Sequence, residues 1–110
     1  MDEQAVGPDL VLTTDREGDR AVLIVRGELD AYSAPAIEEQ IGRLIADDVV
    51  EVVLDLAQTG FLDSSGLRAI LTAQRRLSEN HGRLRLREPS DAVKRLLEIT
   101  GLTEHFATEP

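Results

Sequence analysis

Short apolar runs separated by polar turns predict the strands of this chain. Residues 10–12 and 21–25 are two such runs, and the polar turn Glu17-Gly18-Asp19 between them is typical of a hairpin. Residues 49–56 are apolar and β-branched on both parities except at two acidic positions, which indicates a central strand covered on both faces. Leu84 and Leu86 alternate with arginines and predict a further, half-exposed strand.

Three segments between and after these strands have helical periodicity. The first has apolar positions Ile37, Ile41, Leu44 and Ile45, with Ser33 as its predicted N-cap and Pro35 in its first turn. The second begins after residues 63–66 and has Gly82 as its predicted C-terminal stop. The third has apolar positions Val93, Leu96, Leu97 and Ile99, and we expect Ser90 to begin it and Gly101 to end it.

The resulting order, β-β-α-β-α-β-α, predicts an α/β fold in one domain, since 110 residues leave no room for a second. Strands separated by helices favour a mixed, mostly parallel sheet with right-handed crossovers. We expect about four to five strands and three to four helices within residues 9–110. Residues 1–8 are expected to be flexible, and the tail over residues 102–106 either docks on the sheet or lines a partner surface.

Composition excludes several classes of function. The chain has no cysteine, which rules out disulfides and thiolate chemistry and suits a cytoplasmic protein. A net charge of −9 argues against nucleic-acid binding, so Arg83, Arg85 and Arg87 are interpreted as the solvent face of a strand. No apolar run is long enough to span a bilayer, and no secretory signal is recognisable, so no membrane partner is expected.

The parts that an enzyme needs are missing from the sequence. No nucleophile elbow, P-loop or dinucleotide fingerprint occurs. The two histidines, His81 and His105, come with no obvious carboxylate that would orient a general base. The paired acids Glu38-Glu39 and Asp47-Asp48 are typical of the polar surface of a helix. We therefore predict a protein that is not an enzyme and uses no metal or cofactor.

One segment, Asp63-Ser64-Ser65-Gly66, stands where a buried strand turns into an amphipathic helix. It has two interpretations, an ordinary capping turn or a loop that presents a hydroxyl to a partner. A phosphate on Ser64 would add about −1.5 to −2 charges, to which an interface is far more sensitive than the fold. Arg68, Arg75 and Arg76 on the following helix belong either to the same contact patch or to solvated surface.

Four segments together carry a family resemblance. They are Val25-x-Gly27-Glu28-Leu29-Asp30, Val53-Leu54-Asp55-Leu56, Phe61-Leu62-Asp63-Ser64-Ser65-Gly66-Leu67 and Ser90-x-Ala92-Val93-x-Arg95-Leu96-Leu97-x-Ile99-x-Gly101-Leu102. In this order and spacing, the chain resembles the STAS-domain anti-sigma factor antagonists of bacteria over nearly its whole length. The resemblance implies a STAS fold and a partner-switching role in transcription.

In that family the unphosphorylated antagonist binds an anti-sigma factor that is also a serine kinase, which frees the sigma factor. The kinase uses ATP to phosphorylate the antagonist, and a PP2C-type phosphatase reverses this step. The resemblance implies that Ser64 is the phosphoacceptor and that Asp63 assists recognition by the kinase, while Ser65 and Gly66 shape the turn. By the same resemblance, Gly27, Glu28, Leu29 and Asp30 keep the strand exit beside the loop. From its place on the helix face next to the loop, Arg68 is predicted as a further partner contact.

Two other functions remain open at this stage. The first is an accessory subunit of a transporter or stress-signalling complex on the same fold, whose binding would be permanent and indifferent to Ser64→Asp. The second is a hydrolase with Ser64 as nucleophile, which requires a base that the sequence does not supply. Labelling by a serine-reactive phosphonate would identify the hydrolase.

Overall fold

The computed structural model describes residues 2–109 as one mixed sheet with helices. The strands are β1 (Asp2–Val6), β2 (Leu10–Glu17), β3 (Arg20–Leu29), β4 (Glu51–Asp55), β5 (Thr59–Leu62), β6 (Arg83–Arg87) and β7 (Ala107–Glu109). The helices are α1 (Ala34–Ala46), α2 (Ser64–Glu79) and α3 (Asp91–Thr100). The strand order is β1-β2-β3-β4-β6-β7, and β5 pairs with β3 off this path.

The predicted α/β class is confirmed, with β1, β2 and β3 antiparallel and every other pairing parallel. The predicted number of strands was too low, because residues 2–109 form seven. The three unpredicted strands are β1, β5 and β7, which have three to five residues each. Such short segments have too few positions to establish an alternating pattern.

Within the segment 1–8, which was predicted to be flexible, residues Asp2–Val6 form β1 and pair with β2 along the whole length of the strand. Its side chains are exposed except at Val6, and backbone hydrogen bonds rather than apolar burial hold it in place. The polar composition therefore concealed an edge strand. Met1, which also belongs to the predicted flexible segment, lies outside the described residues.

The core lies between the sheet and the helices. Helices α1 and α2 pack against each other, and their apolar stripes meet the inward side chains of the central strands. The fully buried aliphatic residues include Leu23, Val25, Ile37, Ile41, Leu54, Ile70 and Leu77. Phe106 is also buried in this cluster, so the tail docks on the domain rather than lining a partner surface.

The helix ends follow the sequence at some positions and depart from it at others. Ser90 caps α3 by accepting from the Val93 N–H, and Gly101 ends α3 in the left-handed conformation, both as predicted. Ser33 occupies the N-cap position of α1, but its side chain caps nothing. Its backbone is helical, at φ −94° and ψ −18°, whereas a capping side chain requires extended backbone. Ser33 is therefore the N-cap residue of α1 by position, as predicted, but without a side-chain capping bond, and Pro35 lies in the first turn as predicted.

The sheet face opposite the apolar core carries a network of ion pairs. Adjacent registers place Arg20, Glu51 and Arg83 side by side on neighbouring strands, and Glu51 accepts from both arginines at 2.9 and 2.7 Å. Glu109 accepts from Arg20 and Arg87. The arginines of β6 thus lie on the predicted side of the strand, but two of them are engaged in ion pairs rather than simply solvated.

This network makes stability depend on pH through Glu51, whose pKa is held below its ordinary value mainly by the hydrogen bond from Arg20. Because the pKa of Glu51 is lower in the folded state, its ionised carboxylate stabilises the fold at any pH above the pKa that it has in the unfolded chain. This stabilisation is lost as the pH falls through the lower pKa of the folded state. We expect Glu51→Gln to lower the free energy of unfolding by about 1 kcal/mol at pH 7. Urea denaturation should show the difference from wild type shrinking as the pH falls through the lowered folded-state pKa of Glu51. The exposed Glu39→Gln, which loses only an i,i+4 pair with Arg43, is the control and should change little.

Candidate functional site

The end of β3 and the start of α2 are joined by backbone contacts. Leu29 and Leu62 are parallel neighbours in β3 and β5, and the Asp63 N–H donates to the Leu29 carbonyl at 3.3 Å. Gly66 packs so closely on that carbonyl that an added Cβ would lie 2.5 Å from the oxygen. The end of β3 therefore lies beside the loop, and the unpredicted strand β5 connects the two.

Asp63 is the N-cap of α2. Its backbone is extended, and its carboxylate accepts from the Gly66 N–H at 3.0 Å. Ser64 and Ser65 are the first two residues of the helix, Ser64 exposed and Ser65 half-buried. Within residues 2–109, neither their backbone N–H groups nor the Ser64 hydroxyl makes a hydrogen bond. The capping interpretation thus applies to Asp63, while the Ser64 hydroxyl is left accessible.

A pocket of about 270 Å³ opens beside Ser64, between the first turns of α1 and α2. It is lined by Ala31, Ala34, Pro35, Glu38, Ser64, Ser65, Arg68 and Ala69. Glu38 comes from α1 and Arg68 from α2, so opposite charges face the same space. No ion pair involves either side chain among residues 2–109. Three of the predicted site residues, Ser64, Ser65 and Arg68, are brought together here.

Two further predicted residues, Glu28 and Asp30, line an adjoining depression with Asp9, Tyr32 and Ser33. Asp30 accepts from the backbone N–H groups of Tyr32 and Ser33 at 3.0 and 3.1 Å. The Ser33 N–H is the main cause that lowers the pKa of Asp30, ahead of the Ser33 hydroxyl and the Tyr32 N–H. Asp30 therefore fixes the corner between β3 and α1 in its ionised form.

Gly27 has a backbone role and does not line the pocket at Ser64. Its φ is +117°, and the register of β3 shifts between Gly27 and Glu28. Strand β4 pairs with β3 only as far as Ile24, and β5 pairs with β3 from Gly27 onward. The Glu28 N–H donates to the Asp9 carbonyl at 2.8 Å, which closes this irregular segment against β2. Gly27 thus shapes the path of the strand toward the loop from a distance.

Two exposed aromatic residues near the loop were missed by the sequence analysis. Phe61 directly precedes Leu62 and Asp63 and is 46% exposed, and Tyr32 at the start of α1 is 75% exposed. In β5 the buried positions are Thr59 and Leu62, which have opposite parity, so strict alternation would not have placed Phe61 on the outer side even had the strand been recognised. Exposed aromatics beside an accessible hydroxyl are typical of a protein contact surface.

The predicted arginine patch on α2 is divided in the structure. Arg76 is half-buried and donates to the Glu38 carbonyl at 3.2 Å, which ties α2 to α1. Arg75 is exposed and shares a shallow groove with Arg68 and His105. His105 in turn is bound to Gln74 at 2.8 Å. Arg68 and Arg75 therefore remain available to a partner, whereas Arg76 has a structural contact.

The cap at Asp63 has a measurable consequence. Asp63→Ala removes the acceptor of the Gly66 N–H and should lower the free energy of unfolding by about 1 kcal/mol, the usual effect of losing an N-cap. Asp63→Ser keeps a capping oxygen and should recover most of this loss, as thermal unfolding followed by circular dichroism would show. Equal losses in the two variants would contradict the capping role.

A search of residues 2–109 finds no cluster of three or more histidine, aspartate or glutamate side chains that could hold a metal ion. Of the helices that the structure describes, none combines the length and the apolar composition needed to cross a bilayer.

Comparison with known proteins identifies the family. The profile described as "STAS domain" matches residues 12–110. The anti-sigma-B factor antagonist of Listeria monocytogenes is 33% identical over 90 residues, which are 82% of this chain and 79% of the relative.

Two solved structures agree with this match. The crystal structure of an anti-sigma factor antagonist from Mycobacterium paratuberculosis is 30% identical with a TM-score of 0.79, over 92% of this chain and 86% of the other. The anti-sigma factor antagonist SpoIIAA in its unphosphorylated form is 25% identical with a TM-score of 0.78, over 90% and 88% of the two chains. The chain therefore belongs to the STAS-domain family, and its named relatives are anti-sigma factor antagonists.

Proposed function

We propose that this protein is an anti-sigma factor antagonist switched by phosphorylation of Ser64. Its unphosphorylated form binds an anti-sigma factor with serine kinase activity and so releases the sigma factor. The observation that carries the proposal is the exposed Ser64 hydroxyl, which directly follows the helix cap Asp63 and makes no hydrogen bond within residues 2–109. The names of the relatives support the antagonist role, and the naming of SpoIIAA in its unphosphorylated form supports a phosphorylation switch.

In the proposed reaction the partner kinase supplies the chemistry. The Ser64 oxygen attacks the γ-phosphoryl group of ATP and loses its proton. The bond between this phosphoryl group and the rest of ATP breaks, and ADP is the second product. A PP2C-type phosphatase later hydrolyses the phosphate ester and restores the hydroxyl. The antagonist contributes an accessible acceptor on a fixed helix end and no catalytic group of its own, so we propose a regulatory binding protein and not an enzyme.

The proposed docking surface combines the pocket at Ser64 with its neighbours. Ser64, Ser65 and Arg68 of the pocket and the helix cap Asp63 form its centre. We add the exposed rings of Phe61, two residues before Asp63, and of Tyr32, which lines the depression with Asp30. Gly27, Glu28, Asp30 and Gly66 hold or flank this surface, by the contacts described above. We place the complex in the cytoplasm, where sigma factors act, with no nucleic-acid or membrane contact made by this chain.

Phosphopeptide mapping of the protein recovered from its own cells, in growth and under stress, tests the proposal. The expected result is a phosphate on Ser64 whose occupancy changes between conditions, with copurification of an anti-sigma factor only by the unmodified form. Full peptide coverage with no phosphate in any condition, together with a permanent complex, would instead favour the accessory-subunit function.

A further inference from the structure

Two side chains of opposite charge, with no ion-pair partner in the part of the chain that the structure describes, line the pocket at the Ser64 hydroxyl. Arg68 is exposed on α2 and Glu38 is half-buried on α1, and both line the pocket that contains Ser64. Among residues 2–109, neither side chain forms an ion pair or accepts or donates a side-chain hydrogen bond. A guanidinium with no carboxylate partner, set beside a hydroxyl, is suited to bind an anion attached to that hydroxyl.

Helix geometry places Arg68 within reach of a group on Ser64. Residues four apart on a helix are neighbours on one face, with their Cβ atoms about 5–6 Å apart. Helical side chains also tilt toward the N-terminus, so Arg68 leans back over the turn that contains Ser64. The planar guanidinium donates two parallel hydrogen bonds to phosphate oxygens in a way that an ammonium group does not.

We infer that Arg68 is the residue that holds the phosphate on Ser64, and that Glu38 is the residue that opposes it from across the pocket. The inference rests on the proposed phosphorylation of Ser64. The two charged side chains have opposite roles. Arg68 attracts the phosphate toward the surface of α2, and repulsion from Glu38 keeps the phosphate away from α1. The phosphorylated form therefore keeps the unmodified fold, with the anion fixed on the surface of α2.

This pairing enlarges the change that a partner experiences. In the unmodified protein Arg68 is free to pair with an acidic group of the partner. After modification the same guanidinium is occupied by the phosphate, so the partner loses a cationic contact and also meets an added anion. One covalent event thus changes two charged positions of the docking surface.

The test uses phosphoserine incorporated genetically at position 64, so it requires neither the kinase nor the anti-sigma factor. The ³¹P NMR chemical shift is followed against pH in the full chain and in Arg68→Gln, Glu38→Gln and Arg75→Gln. Arg75 is the matched control, since it is exposed on the same helix and lies about 16 Å from Ser64 along the helix axis. Unmodified samples of each variant, compared by circular dichroism, verify that the fold is kept.

Arg68 and the N–H groups of Ser64 and Ser65 favour the dianionic phosphate, whereas the carboxylates of Asp63 and Glu38 oppose it, so the contribution of Arg68 is measured by the difference between wild type and Arg68→Gln. Arg68→Gln should raise the midpoint by about half a pH unit, Glu38→Gln should lower it, and Arg75→Gln should leave it unchanged. Equal midpoints in wild type and Arg68→Gln would overturn the assignment, as would equal effects of Arg68→Gln and Arg75→Gln. A negative result would leave the proposed function intact, because cellular phosphorylation and partner binding are measured separately.

Discussion

Phosphoserine at position 64 is expected to weaken binding to the anti-sigma factor at least a hundredfold. Docking would remove water from a dianion that has at most one cation beside it, and such desolvation costs several kcal/mol. Each 1.4 kcal/mol changes the dissociation constant tenfold, so a loss of about 3 kcal/mol gives the hundredfold effect. Titration calorimetry with the purified partner measures this directly.

Two substitutions at the same position bracket this result. Ser64→Ala removes an exposed hydroxyl without a hydrogen-bond partner among residues 2–109, so it should fold normally and bind like the unmodified protein. Ser64→Asp adds one negative charge with less bulk, so it should weaken binding by a smaller factor in the same direction. The matched control is Ser78→Asp, which adds the same charge at an exposed position near the other end of α2. If Ser64→Asp and Ser78→Asp bound alike, local desolvation at Ser64 would not be the cause.

The parts of the fold that the sequence predicted are those with long, unambiguous periodicity. The apolar stripes of α1 and α2 repeat over several turns, and the run containing Val52, Val53 and Leu54 is buried on both faces as expected. The edge strands β1 and β7 gave no such signal, because their pairing depends on backbone hydrogen bonds that any sequence can make. Strand β5 was hidden for a related reason, since its four residues include Gly60 and only two buried side chains.

The candidate site divides in the same way. Asp63, Ser64 and Arg68 are close in sequence, so a helix that starts at the motif places all three within its first two turns. The opposite wall of the pocket comes from Glu38, and its position depends on how α1 packs against α2, where Arg76 reaches the Glu38 carbonyl. Local periodicity contains no information on that contact.

Two glycines connect the fold to the site through close backbone contacts. At Gly27 a Cβ would lie 2.0 Å from the Asp9 carbonyl oxygen, and the φ of +117° is itself unfavourable for any other residue. At Gly66 the backbone is helical, but a Cβ would lie 2.5 Å from the Leu29 carbonyl oxygen. Both obstacles are backbone atoms, one in the turn residue Asp9 and one in the strand residue Leu29, so neither contact is relieved by rotating a side chain.

We therefore expect Gly27→Ala and Gly66→Ala each to lower the free energy of unfolding by about 3 kcal/mol or more, with Gly27→Ala the larger. Gly18→Ala and Gly60→Ala separate the two causes, since neither added Cβ meets an atom within 4 Å and only Gly18 has a positive φ, of 63°. Gly18→Ala should cost about 1 kcal/mol through its conformation alone, and Gly60→Ala no more than about 0.5 kcal/mol. Urea denaturation of the four variants measures these values. A Gly66→Ala loss as small as that of Gly60→Ala would contradict the contact with Leu29, and with it the fixed placement of Ser64 beside the end of β3.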